Sequence, residues 1–282
     1  MARDRITKEP WGLLLAALAL GLAACAPAMP EARADAAHPT IVSLNPCLDA
    51  ILVEVAPPAQ VLALSHYSRD PGSSSIPAPV AARYGVTGGT AEEVIAAQPD
   101  LVLASIYLPQ PTRSALERAG LKVATFGSPT SIAESIAQVR EVAQLSGRSA
   151  EGEALAAQIA APPAPTAAPP VDALLWQPGE IVAGEATLIA ELLRSEGFAS
   201  HAAARGLGQA DRVSLEAVLA DPPQVLLVAG DAAGQRHPLL QGQLKQTLIA
   251  AFDPALLYCG GPTIPKARAR LRAIRAEVEV RP

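Results

Sequence analysis

Short apolar runs alternate with stretches of helical spacing along most of this chain. Thr40-Ile-Val-Ser-Leu44 is β-branched and stops at Asn45-Pro46, which predicts a strand ending in a turn. A helix is expected over Leu48–Val55, and Val61-Leu-Ala-Leu64 predicts a second strand that ends at Ser65-His66-Tyr67. Thr90 with Glu93 three residues on makes a capping box, so a helix starts there and ends before Pro99. Leu101–Ala104 reads as a buried strand, a helix covers about 111–119, and Val123–Phe126 is another strand. Strand and helix alternate, the signature of βαβ units around a parallel sheet.

Residues 131–160 depart from this rhythm. Ser131 and Glu134 form a second capping box, and Ile132, Ile136, Val139, Ala143, Leu155 and Ile159 keep one apolar stripe. The pattern predicts one long helix, with Ser146-Gly147 its weak point. The proline-rich run Ala161–Pro170 ends it, because proline neither donates to nor continues a helix. Beyond it the alternation resumes. Strands are expected at 171–176, 225–229 and 255–258, and helices at 187–196, about 214–220, about 239–250 and 265–277.

The first 24 residues stand apart. A charged start precedes Trp11–Ala24, an apolar stretch too short to anchor in a bilayer but right for the core of an export signal. Leu22-Ala-Ala-Cys25 resembles a bacterial lipobox, which implies cleavage before Cys25 and lipidation of its thiol; ordinary cleavage after Ala34 is the alternative. Residues 25–39 have no apolar period and read as a tether. The organisation expected is a signal at 1–24, a tether at 25–39, lobes at 40–128 and 171–282, and a connecting helix at 129–161.

Composition narrows the class. The 282 residues are 50% hydrophobic and 17% charged, which excludes disorder as the overall state, and a net charge of −5 argues against a nucleic-acid partner. Three cysteines make no disulfide scaffold. No nucleophile elbow, phosphate-binding loop or zinc-protease motif is present, so no enzymatic activity is expected.

An internal repeat joins the two halves. Thr90 to Ala104 aligns without gaps on Ser214 to Val228, each copy a hydroxyl cap, a glutamate two residues in (Glu92, Glu216), an apolar helix, a proline and a buried strand. With Thr40–Pro46, Val61–Ser68 and the long helix, this order resembles the substrate-binding lipoproteins and periplasmic proteins of metal-chelate ABC importers, the cobalamin, ferric-siderophore and haem group. The Ser-x-Tyr-Ser segment at Ser65–Ser68 is most similar to the cobalamin branch. The resemblance spans about residues 40–282.

That resemblance implies two Rossmann-like α/β lobes with parallel sheets joined by one long rigid helix, a monomer in the periplasm held to a membrane only by its lipid. It implies capture of a metal chelate, cobalamin favoured, in the cleft between lobes and delivery to a permease dimer with its ATPase subunits. A lipid-anchored haem or metal chaperone, or a scaffold, is the alternative. Ligands of such sheets sit outside the carboxyl ends of the strands. The expected ligand residues are therefore Asn45, Pro46, His66, Tyr67, Tyr107 and Trp176, together with Gly184 and Glu185 in a glycine-containing turn. By the same resemblance, Glu92 and Glu216 dock the permease. No cofactor and no metal ligand set is expected. Cys47 and Cys259 leave three readings open: separate buried thiols, a disulfide, or ligation of a bound metal by one of them or by His66.

Overall fold

The computed structural model describes residues 38–161 and 168–281. The predicted signal, Cys25 and almost all of the tether lie outside the described residues. The first lobe runs β1 (Ile41–Ser43), α1 (Pro46–Val55), β2 (Val61–Ser65), a 3-10 turn at His66–Arg69, α2 (Ala78–Ala81), β3 (Val86–Thr87), α3 (Ala91–Ala97), β4 (Leu101–Ser105), α4 (Gln110–Arg118) and β5 (Lys122–Phe126). Its five strands are all parallel, in the order β3-β2-β1-β4-β5. Ile41, Val42 and Leu101–Ala104 are fully covered, as the uninterrupted apolar runs demand of a sheet with helices on both faces.

Local chemistry sets the helix starts. Asn45 Oδ1 accepts from the Cys47 and Leu48 N–H groups, and Pro46 occupies the first turn, where its missing donor costs nothing. Thr90 caps α3 through the Glu93 N–H. The Glu93 carboxylate then reaches past the cap to Thr87 Oγ1 and the Gly88 N–H, at 2.7 and 2.6 Å. These bonds hold it below the ordinary carboxylate range.

The connection is a helical hairpin and not the single long helix expected over 129–161. α5 (Ile132–Leu145) and α6 (Ser149–Ala160) are separated by Ser146, Gly147 and Arg148. Gly147 takes φ +70°, a conformation that ends a helix and that glycine adopts at little cost. The helices pack so closely that a Cβ on Gly152 would lie 2.3 Å from Ala143 Cβ, and Arg140 pairs with Glu153 across them through two bonds of 2.8 and 2.9 Å. The shared apolar stripe is real, but it closes onto itself and onto α1.

The second lobe comprises β6 (Val171–Trp176), β7 (Ile181–Ala183), α7 (Leu188–Ser195), β8 (Phe198–Ser200), α8 (His201–Ala204), β9 (Gln209–Arg212), α9 (Leu215–Ala220), β10 (Val225–Val228), α10 (Pro238–Gln243), β11 (Leu248–Ala251) and α11 (Thr263–Glu279). The order is β11-β10-β6-β7-β9, with β8 beside the start of β6. β7 runs antiparallel to β6 and β9, so this sheet is mixed. The strand expected at 255–258 is instead a 3-10 turn at Pro254–Leu256, started by Pro254 and by Asp253 accepting from the Ala255 N–H. The last strand, β11, lies earlier and takes over the end of the stretch read as a helix over 239–250, the helix itself stopping at Gln243.

From α11, Arg268 donates to the carbonyls of Ile159 and Ala161, and Arg275 to that of Pro169. The two arginines grip both ends of the proline-rich crossover. Among the described residues no helix is long and apolar enough to cross a membrane.

Candidate functional site

Because the strands of the first sheet are parallel, the segments after β1, β2, β4 and β5 emerge at one edge. The segments after β6 and β11 emerge at the corresponding edge of the second. Between these edges lies a cavity of about 370 Å³. The first lobe contributes Asn45, Cys47 and Leu48, the Phe126–Thr130 loop, and Gln138 from α5. The second contributes Leu175, Gln177, Ile181–Ala183, Gln209, the start of α7 and Leu256–Gly260.

The chemistry of this wall is distinctive. Its polar side chains are the amides of Asn45, Gln138, Gln177 and Gln209, the hydroxyls of Ser128, Thr130 and Thr187, and the Tyr258 phenol. Among the described lining residues there is no Asp, Glu, Lys, Arg or His. Such a surface offers donors, acceptors and apolar area without net charge. No group of three or more His, Cys, Asp or Glu side chains converges anywhere among the described residues.

Cys47 and Cys259 are joined as a disulfide, with their Cα atoms 5.1 Å apart, inside the range a bridge requires. Of the three readings open from the sequence, this is the one adopted, and it crosses from lobe to lobe in the cavity wall. Tyr258, next to it, lines the same wall.

The expected ligand residues divide. Asn45 lines the cavity while capping α1, whereas Pro46 does not reach the wall. His66 and Tyr67 stand together after β2, ring centroids 4.1 Å apart, with the imidazole Nδ1 3.3 Å from the Thr87 carbonyl. Tyr67 and Tyr107 are 51% and 80% exposed at the carboxyl edge but outside the cavity lining. Trp176 is corrected: it is buried, and its indole N–H donates to the Val213 carbonyl at 2.9 Å, so it belongs to the core between β6 and α9. Its neighbour Leu175, on the opposite face of the strand, lines the cavity.

Gly184 and Glu185 lie beside the cavity, between the lining residues Ala183 and Thr187, and are not part of its wall. A Cβ on Gly184 would lie 1.9 Å from the Leu207 carbonyl oxygen, so glycine is required there for the close approach of the Leu207–Gly208 segment that leads into β9, whose Gly208 carbonyl accepts from the Gly184 N–H at 3.1 Å. Glu185 is exposed and pairs with Arg194 at 2.7 Å. The loop after β5 was missed, although Gly127-Ser-Pro129 at the end of a strand is the same signal that singled out Asn45.

Glu92 and Glu216 occupy equivalent places in the two repeat copies, each exposed in the first turn of its helix, α3 or α9. The Glu216 carboxylate is held below its ordinary range by its own backbone N–H and the Ser214 hydroxyl.

Comparison with known proteins now places the chain. The model of the periplasmic binding protein family matches residues 41–251, and the chain belongs to that family. No curated protein matches the sequence. Among solved structures it is similar to the periplasmic haem-binding protein HutB of Vibrio cholerae, with TM-score 0.67 and 17% identity over 84% of this chain and 98% of that one. It is similar also to the vitamin B12-binding protein BtuF of Vibrio cholerae (TM-score 0.63, 18% identity, 86% and 99% covered). The haem-binding protein BhuT in complex with two haems gives TM-score 0.64 and 20% identity over 85% and 98%. These likenesses establish the two-lobed α/β fold.

Proposed function

We propose that this chain is the extracytoplasmic binding component of an ABC importer, that it holds a metal chelate between its lobes, and that the chelate is a corrinoid. The observation that carries the choice is the charge-free, amide-bearing cavity wall. Burying an anionic chelate such as haem, with its propionates, or a tricatecholate iron complex against this wall leaves charge without a partner, at a cost of several kcal/mol. A corrin ring edged with amides finds amide partners in Asn45, Gln138, Gln177 and Gln209.

The cavity is smaller than a whole corrinoid, so much of the ligand extends beyond it. The exposed rings of Tyr67 and Tyr107 at the carboxyl edge are amphipathic surfaces suited to cover that part. Delivery rests on Glu92 and Glu216, which present one exposed carboxylate per lobe to a basic permease dimer and so favour orientation and encounter rate. Cys25 carries the lipid that keeps the protein at its membrane.

Titration calorimetry of residues 26–282 with cyanocobalamin, haem and ferric siderophores tests the reading. One-to-one binding of cyanocobalamin, tighter than that of either iron ligand, is expected. Preference for haem would keep the transport role and remove the corrinoid. Silence from every chelate would remove both.

A further inference from the structure

We infer that the Cys47–Cys259 disulfide is a redox latch that fixes the separation of the lobes at the cavity; the latch regulates the site just described and rests on that reading for its ligand. Three observations meet here. The cysteines belong to different lobes, Cys47 in the first turn of α1 and Cys259 between β11 and α11, 212 residues apart in sequence. Both line the cavity. And the segment beyond Cys259 is already seated on the connector and the first lobe. The Gly261 N–H donates to Ser135 Oγ of α5 at 2.6 Å, and Gly261 lies against Ile51 of α1. The covalent bridge therefore adds to a non-covalent seat and converts a contact that could part into one that cannot.

The two cysteines differ in access, Cys47 half-buried and Cys259 buried. A dithiol reductant able to close its own disulfide is thus directed to Cys47 Sγ. Its thiolate attacks that sulfur, the bond to Cys259 breaks, and Cys259 leaves as a thiolate that takes up a proton. The second thiolate of the reductant then displaces Cys47 from the mixed disulfide. The reductant ends as its own disulfide, and two electrons and two protons have passed to the pair. Without the bridge the lobes keep non-covalent ties alone, among them the seat of Gly261, the Ile132 N–H donating to Glu191 at 2.8 Å and packing on the α5–α6 hairpin, so the cavity opens more often and the ligand leaves faster.

The test compares oxidised protein, protein reduced with dithiothreitol and desalted under nitrogen, and the Cys47→Ser/Cys259→Ser variant. Amide hydrogen exchange reads the latch without a ligand. Exchange at 45–48, 127–130 and 256–261 should rise at least five-fold in the reduced protein and the variant, while β1 and β4 stay protected. Cyanocobalamin dissociation, followed by its visible absorbance, should accelerate at least five-fold in step. Equal exchange in all three forms would overturn the latch. If exchange rises but no form binds cyanocobalamin, the corrinoid reading fails and the latch stands. The reduced wild type keeps the comparison decisive where the double variant folds poorly.

Discussion

Asp49, wholly buried in α1, accepts a hydrogen bond of 2.6 Å from the Ser68 hydroxyl. The same oxygen accepts from the Ser65 N–H at 2.9 Å, so one carboxylate ties the first helix to the 3-10 turn that displays His66 and Tyr67. Burial pushes its pKa up to about 7, against the bonds from Ser43, Ser68 and Ser65 that pull it down.

The sign of the resulting pH dependence follows. Between the unfolded value of 3.8 and about 7 the native state holds a proton that the unfolded chain has released, so stability falls as pH rises through that window. The loss is on the order of 4 kcal/mol at full extent. Urea midpoints of the wild type should decline from pH 4.5 to 7.5 more steeply than those of Asp49→Asn, which cannot ionise. Parallel slopes for the two proteins would show that another group sets the profile.

Glu196 is buried between Arg268 and Arg272, at 3.3 and 3.7 Å, and burial raises its pKa more than the arginines lower it. Arg268 also serves the carbonyls of Ile159 and Ala161. Arg268→Met leaves Glu196 with only the half-exposed Arg272 and strips two carbonyls of a donor. A loss of about 3–5 kcal/mol is expected, read as a lower urea midpoint at unchanged slope.

Cavity and core separate cleanly at adjacent residues. Gln177→Ala should weaken cyanocobalamin binding about ten-fold by calorimetry while leaving the thermal midpoint near that of the wild type. Trp176→Phe should do the reverse, since it orphans the Val213 carbonyl and opens a gap in the core at a cost of about 1–3 kcal/mol. A large affinity loss in Trp176→Phe at unchanged stability would return Trp176 to the ligand.

Charge reversal at both Glu92 and Glu216 should abolish uptake in cells and leave the affinity of the purified protein for its chelate unchanged. Uptake that survives the double reversal would end the docking assignment.

Much of the fold was legible because its signals are local. Thr90, Ser131 and Ser214 cap helices where the sequence placed them, and the aligned repeat folds into two copies of helix and strand, α3–β4 and α9–β10. What was not legible depends on facing and on tertiary choice. A strand covered on both sides carries no alternation, so nothing in Leu174-Leu-Trp176 says that Leu175 faces the cavity and Trp176 the core. The apolar stripe of 131–160 suits one long helix and a hairpin equally, and Gly147 with the close packing at Gly152 decides for the hairpin. The disulfide joins residues 212 positions apart, a distance over which sequence spacing holds no information.

The neutral lining of the cavity has a last consequence. Dissolved ions screen exposed charges within about 8 Å at physiological ionic strength and leave amide and apolar contacts nearly untouched. Capture by this protein is therefore expected to hold its strength from fresh to brackish medium, while on the proposed docking role the encounter of Glu92 and Glu216 with a basic permease is expected to weaken as salt rises. Added salt would then arrest transport with the ligand still bound, holding the loaded carrier apart from its permease.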